Sequence, residues 1–133
     1  MASSQNSRAT QGRRLVTDGA LLEMRTKLHV SRTRLASLIG VAPSSLKGWE
    51  AGTQRMNEPS ALRVLKWYED TLPALQYAFR LPLEKLMPAH RAAEQMGVTL
   101  ETIEQKCRNG HLRYEDLGPF GLYVYHLEPL ESV

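Results

Sequence analysis

The chain has 133 residues, 42% hydrophobic and 23% charged, with a formal net charge of +3 and one cysteine. That length holds one compact domain or two very small ones sharing a helix, and the second arrangement is expected; no apolar run approaches the roughly 20 residues that cross a bilayer, so a soluble protein without a membrane partner is expected. The lone Cys107 excludes an internal disulfide or a cysteine-rich zinc site within one chain, and reads as a small half-buried helix residue.

Residues 1–16 are polar, with no apolar segment behind the basic pair Arg13-Arg14, so a secretory signal is absent from the reading and a cytoplasmic address follows. They read as a flexible basic arm. Arg8, Arg13 and Arg14 are the side chains a narrow minor groove would take, a plain disordered terminus being the alternative. From Asp18, a plausible cap, Leu21, Leu22, Met24 and Leu28 fall on one face of a first helix. Ser31 caps a second, carrying Leu35, Ala36, Leu38 and Ile39 and stopping at Gly40. Pro43 opens a third, short helix that Gly52 ends. After the polar loop TQRMNE, Pro59 starts a longer pattern with Leu62, Leu65, Tyr68, Leu72, Leu75 and Phe79 at helical spacing, kinked or broken at Thr71-Leu72-Pro73. Residues 59–80 therefore read as a connecting helix between a unit at 17–58 and another at 81–133.

In the second unit, Pro88 to Met96 is a helix with Ala92 and Ala93 inside, Gly97-Val98 a turn, and Thr99 the cap of a helix to about Asn109. HLRY and GLYVYHL alternate at period two around EDLGPF and read as a β-hairpin. The expected fold is mainly α: an N-terminal helix-turn-helix bundle, a long connecting helix, and a small C-terminal α+β unit like a winged helix-turn-helix.

Charge is unevenly spread, which bears on partners. Residues 1–60 hold nine Lys/Arg against four Asp/Glu, whereas residues 114–133 hold four acids and no base. A polyanion bound through the N-terminal half suits that balance. In the helix-turn-helix, Ala36 is small where two helices touch, Gly40 makes the turn, and Val41, Leu46 and Trp49 pin the third helix, leaving its other face free. Trp49 reads as core rather than a stacking platform.

The segment RLASLIGVAPSSLKGWEAG with the preceding Arg25 resembles the helix-turn-helix domains of lambdoid phage repressors over residues 18–70. The resemblance implies that Pro43, Ser44, Lys47 and Gly48 face base edges, Ser44 and Lys47 reading directly. Gly48 leaves one reading position without a side chain. Arg25, Arg32, Arg34, Ser45, Thr53, Gln54 and Arg55 stand where such folds touch the DNA backbone.

Gly40-Val41 aligns with Gly97-Val98 at a spacing of 57 residues; Ala36 then matches Ala93, Ala42 matches Thr99, and Leu46 matches Ile103. A second reading unit would present Thr102, Gln105, Lys106 and Asn109 to bases, with Arg108, His111 and Arg113 toward the backbone or hairpin. A folded tail for docking or dimerisation is the competing view.

With the RNGHLRYEDLGPFGLYVY segment included, nearly the whole chain is similar to the short immunity repressors of mycobacteriophages. That resemblance implies a transcriptional repressor that maintains lysogeny and superinfection immunity by binding operators and dispersed stoperators. It also implies double-stranded DNA as partner and an asymmetric site bound by one chain; a homodimer stays open.

No P-loop, GxSxG, HExxH or paired-carboxylate arrangement is visible, so no enzyme, cofactor or metal is expected. Two further classes stand as alternatives: an excisionase-like architectural factor, from the likeness of residues 88–127, and an antitoxin whose tail from Leu127 to Val133 docks on a protein partner.

Overall fold

The computed structural model describes the backbone of residues 4–126 and side chains from Ser7 onward. The described residues form seven α-helices and a three-stranded antiparallel sheet near the C-terminal end, a mainly helical fold with a small α+β unit. The chain divides into two compact units, one through Pro73 and one from Ala74 onward.

The first unit contains α1 (Ser4–Thr17), α2 (Ala20–Lys27), α3 (Arg32–Ile39), α4 (Pro43–Ala51) and the larger part of α5 (Glu58–Ala78). Local chemistry sets most of these boundaries. The Ser31 hydroxyl accepts from the Arg34 N–H at 3.1 Å and starts α3, and Pro43 sits in the first turn of α4, where its missing N–H costs nothing. Leu21, Met24, Leu28, Leu35, Ala36, Ile39, Leu46, Trp49, Ala61, Val64 and Leu65 are buried and form this unit's interior.

The expected flexible arm is corrected: from Ser4 it is helix α1. Its composition is polar, but Ala9 and Val16 are buried, and Gly12 lies between them on the same face. Gly12 brings the α1 backbone against α5 so closely that a Cβ there would stand 2.0 Å from the Ala61 carbonyl oxygen. Three small or branched residues thus bury a stripe that composition alone conceals. Asp18 is not a cap either, because it closes the last turn of α1 through an N–H donated to Arg14 O at 2.9 Å, and Gly19 occupies the cap position of α2.

Helix α5 runs through Pro73 instead of breaking, so the unit boundary falls inside a helix. Its buried side is Ala61, Val64, Leu65, Thr71, Leu75 and Ala78, while Phe79, expected inside, is exposed.

In the second unit, β1 (Leu86–Pro88) precedes α6 (Ala89–Met96) and α7 (Leu100–Arg108), and β2 (Tyr114–Asp116) and β3 (Leu122–Tyr125) form the expected hairpin. The strand order is β1-β3-β2, with Leu86 opposite Tyr125 and Tyr114 opposite Val124. The sequence reading missed β1, three residues ending in a proline that it assigned to the next helix; an edge strand tolerates that proline because one side of the strand needs no ladder partner. Ala89, Ala92, Ala93, Ile103, Cys107, Leu112 and Val124 form one buried cluster, with Met87 and Leu122 packed on it. Cys107 is fully inside, and burial pushes its thiol above the ordinary value. No helix among the described residues is long and apolar enough to cross a membrane.

Candidate nucleic-acid interface

The α3–α4 pair is joined by a turn in which Gly40 adopts φ 90°, and the N–H groups of Gly40 and Val41 both donate to Ala36 O, at 2.8 and 2.9 Å. The α6–α7 turn repeats this closure: Gly97 has φ 68° and the Val98 N–H donates to Ala93 O at 3.0 Å. Both turns need the left-handed conformation that glycine adopts without strain. The aligned residues also share an environment, Ala36 and Ala93 being buried and Leu46 and Ile103 fully so. The internal repeat is thus a repeat of structure, two helix-turn-helix pairs with the same turn closure.

Helix α4 is held by Leu46 and Trp49, while Val41 is half-buried. The Trp49 indole N–H is buried without a hydrogen-bond partner, consistent with a packing role. The opposite side of α4 exposes Pro43, Ser44, Lys47 and Ala51, so the two expected direct readers share an open face. Gly48 lies on the same side, one turn after Ser44, but is not open as expected: it is buried, because the Gln54 side chain lies over it. The Gly48 carbonyl organises the loop that brings Gln54 back, accepting from the N–H groups of Thr53 at 2.9 Å and Gln54 at 3.2 Å and from the Thr53 hydroxyl at 3.4 Å.

Glu50 is the side chain that joins the helices. Its carboxylate accepts from Arg25 Nε and Nη2 at 3.0 and 2.9 Å and from Arg32 Nε at 2.7 Å, and is only 6% exposed. Burial opposes its charge, but the hydrogen bonds and the positive charges of Arg25 and Arg32 outweigh burial and hold the carboxyl below its ordinary value. Arg25, expected on the DNA backbone, commits Nε and Nη2 to Glu50, and its side chain is 14% exposed. Arg32 commits Nε alone and remains 39% exposed, so donors are left over. Arg34, Thr53, Gln54 and Arg55 are exposed and Ser45 is half-buried. Arg63, absent from the expectations, donates from Nη1 to the Gly40 carbonyl at 2.9 Å and ties α5 to the turn.

The three arginines assigned to a minor-groove arm sit on α1. Arg13 donates from Nε to Met56 O at 2.9 Å, Arg8 pairs with Glu69 at 2.6 Å, and Arg14 is exposed. Two of the three are engaged within the unit, and none belongs to a free arm.

On α7, Gln105 is exposed, whereas Thr102 and Lys106 are half-buried; Asn109, also exposed, caps the end of the helix. Thr102 is partly absorbed by the helix start: its N–H donates to the Thr99 hydroxyl at 3.1 Å and the two hydroxyls lie 2.9 Å apart. Arg108 makes a 3.7 Å pair with Glu104, His111 is exposed, and the Arg113 guanidinium stacks 4.3 Å over the Tyr125 ring. The hydroxyls of Tyr77 and Tyr125 both donate to Glu115 and hold its carboxyl below the ordinary value.

Two signals for what the sequence reading missed were present. Glu50 is the one acid between residues 24 and 57, and a lone carboxylate in a basic stretch is a candidate hub. Gly48 at a helix position facing outward marks a close approach of another group. Comparison with known proteins returned no matching family, no similar curated protein and no similar solved structure.

Proposed function

We propose that the chain is a sequence-specific double-stranded DNA-binding transcriptional repressor of a temperate phage, of the immunity-repressor type that acts at operators and stoperators. The observation that carries this reading is the pair of helix-turn-helix units with the same turn closure, the first presenting Ser44 and Lys47 on the open face of its second helix. A Lys ammonium donates to guanine O6 and N7, and a Ser hydroxyl serves either base type. Arg32, Arg34 and Arg55 are accessible donors for phosphate, the contacts that position without specifying. In the second unit, Gln105 is exposed at the place of Gly48, with Glu101 and Glu104 at the places of Ser44 and Lys47 and Asn109 just past the end of α7, and the β2–β3 hairpin corresponds to a wing.

A second reading applies to the C-terminal unit alone. Met96, Val98 and Leu100 are 37%, 36% and 45% exposed around its turn, the observation on which a protein-docking role for that unit would rest.

Selection of bound duplexes from a random pool, using the full chain, tests the proposal. Enrichment of one motif is the expected result. Retention of duplexes without any enriched sequence, or no retention, would overturn it.

A further inference from the structure

Helix α4 has a gap on its reading side, because residue 48 is a glycine one turn beyond Ser44. The gap is filled from outside the helix. A Cβ built on Gly48 would lie 2.7 Å from both Cβ and Oε1 of Gln54, so the Gln54 side chain occupies the volume where a side chain of residue 48 would begin. Its backbone is anchored there by the N–H donated to Gly48 O at 3.2 Å, beside the Thr53 N–H at 2.9 Å on the same carbonyl. Gln54 is nevertheless exposed, in a loop that the α4 C-cap at Gly52 turns back on the helix.

We propose that Gln54 is a specificity residue that substitutes for the missing side chain at position 48 and reads an adenine beside the bases read by Ser44 and Lys47. This rests on the DNA-binding reading above and replaces the phosphate-contact role that residue position alone suggests for Gln54. The chemistry is that of a carboxamide, which donates from Nε2 and accepts at Oε1 and so matches adenine N7 and N6 in the major groove. Gly48 is then a requirement of the device, since any side chain there would displace Gln54.

The test repeats the random-duplex selection with the full-length wild type, Gln54→Ala, Gln54→Glu and Gly48→Ala, with thermal melts of each. The expected result is one adenine column in the wild-type motif, lost in Gln54→Ala with a roughly 10- to 100-fold loss of discrimination at that pair. Gln54→Glu moves the column to cytosine, whose N4 amine a carboxylate accepts. Gly48→Ala loses the same column as Gln54→Ala. A Gln54→Ala motif identical to wild type in every column, with affinity lowered evenly, would overturn the Gln54 assignment and leave the DNA-binding reading standing. A wild type that enriches no motif would instead overturn that reading itself.

Discussion

At the scale of single residues, Glu50 decides how α2, α3 and α4 are held, because one nearly buried carboxylate pairs with two arginines from different helices. Removing one partner of such a group leaves an uncompensated charge, and Glu50→Ala is expected to lower stability by roughly 3 kcal/mol, read by urea titration. The pH dependence follows from the direction of the shift. A carboxyl held below its unfolded-state value contributes stability that is complete above that value and is lost as pH falls through the folded-state value. Wild type should therefore lose stability on acidification more steeply than Glu50→Gln, and parallel acid slopes would contradict the role of the network. Reading and positioning residues separate by a different measurement. Lys47→Ala is expected to cost about 1–3 kcal/mol of discrimination at one base pair, whereas Arg55→Ala weakens all duplexes alike and flattens the salt dependence by about one unit. Titrations against cognate and random duplexes over a salt series distinguish the two patterns.

At the scale of elements, the least expected contact is α1 on α5 through Gly12. A methyl group at that position meets the Ala61 carbonyl at 2.0 Å, a backbone group that cannot rotate away. Gly12→Ala should force the helices apart and cost at least about 1–3 kcal/mol, the range for overpacking, measured as a lowered melting temperature. An unchanged melt would mean that α1 does not pack in solution as described. The helices that were legible in the sequence are those whose ends are written in local chemistry: Ser31 and Thr99 accept N–H groups at their own helix starts, and Gly40 and Gly97 close the two turns. Helix α1 was illegible because Ala9 and Gly12 are small residues that bury little area each, and their partner in α5 is some 50 residues away in sequence. Strand β1 was illegible because three residues carry no period and their partner, β3, comes after two helices. The candidate site divides in the same way. Ser44 and Lys47 follow from helical period, whereas the position of Gln54 depends on a loop folding back to the Gly48 carbonyl, which Gly48 signals only as a close approach without naming the residue that makes it.

At the scale of the whole chain, the central feature is that two helix-turn-helix pairs of unlike sequence occur once each. A protein with a single such pair gains a long site by dimerising, and its site then has two-fold symmetry. On the proposed DNA-binding reading, two different pairs in one chain would need no second copy, and a site read by both would lack two-fold symmetry. The matching positions differ in kind: α4 offers Ser44 and Lys47, and α7 has Glu101 and Glu104 at those places, with Gln105 exposed beside them and Asn109 just after the helix. The most direct test is the mass of the complex on a selected duplex, by light scattering, together with the stretch of DNA protected from cleavage. Two-unit reading predicts one chain per duplex and an asymmetric protected stretch longer than one helical turn. Two chains on a short palindrome would contradict it and make the unit from Ala74 onward a dimerisation or partner module.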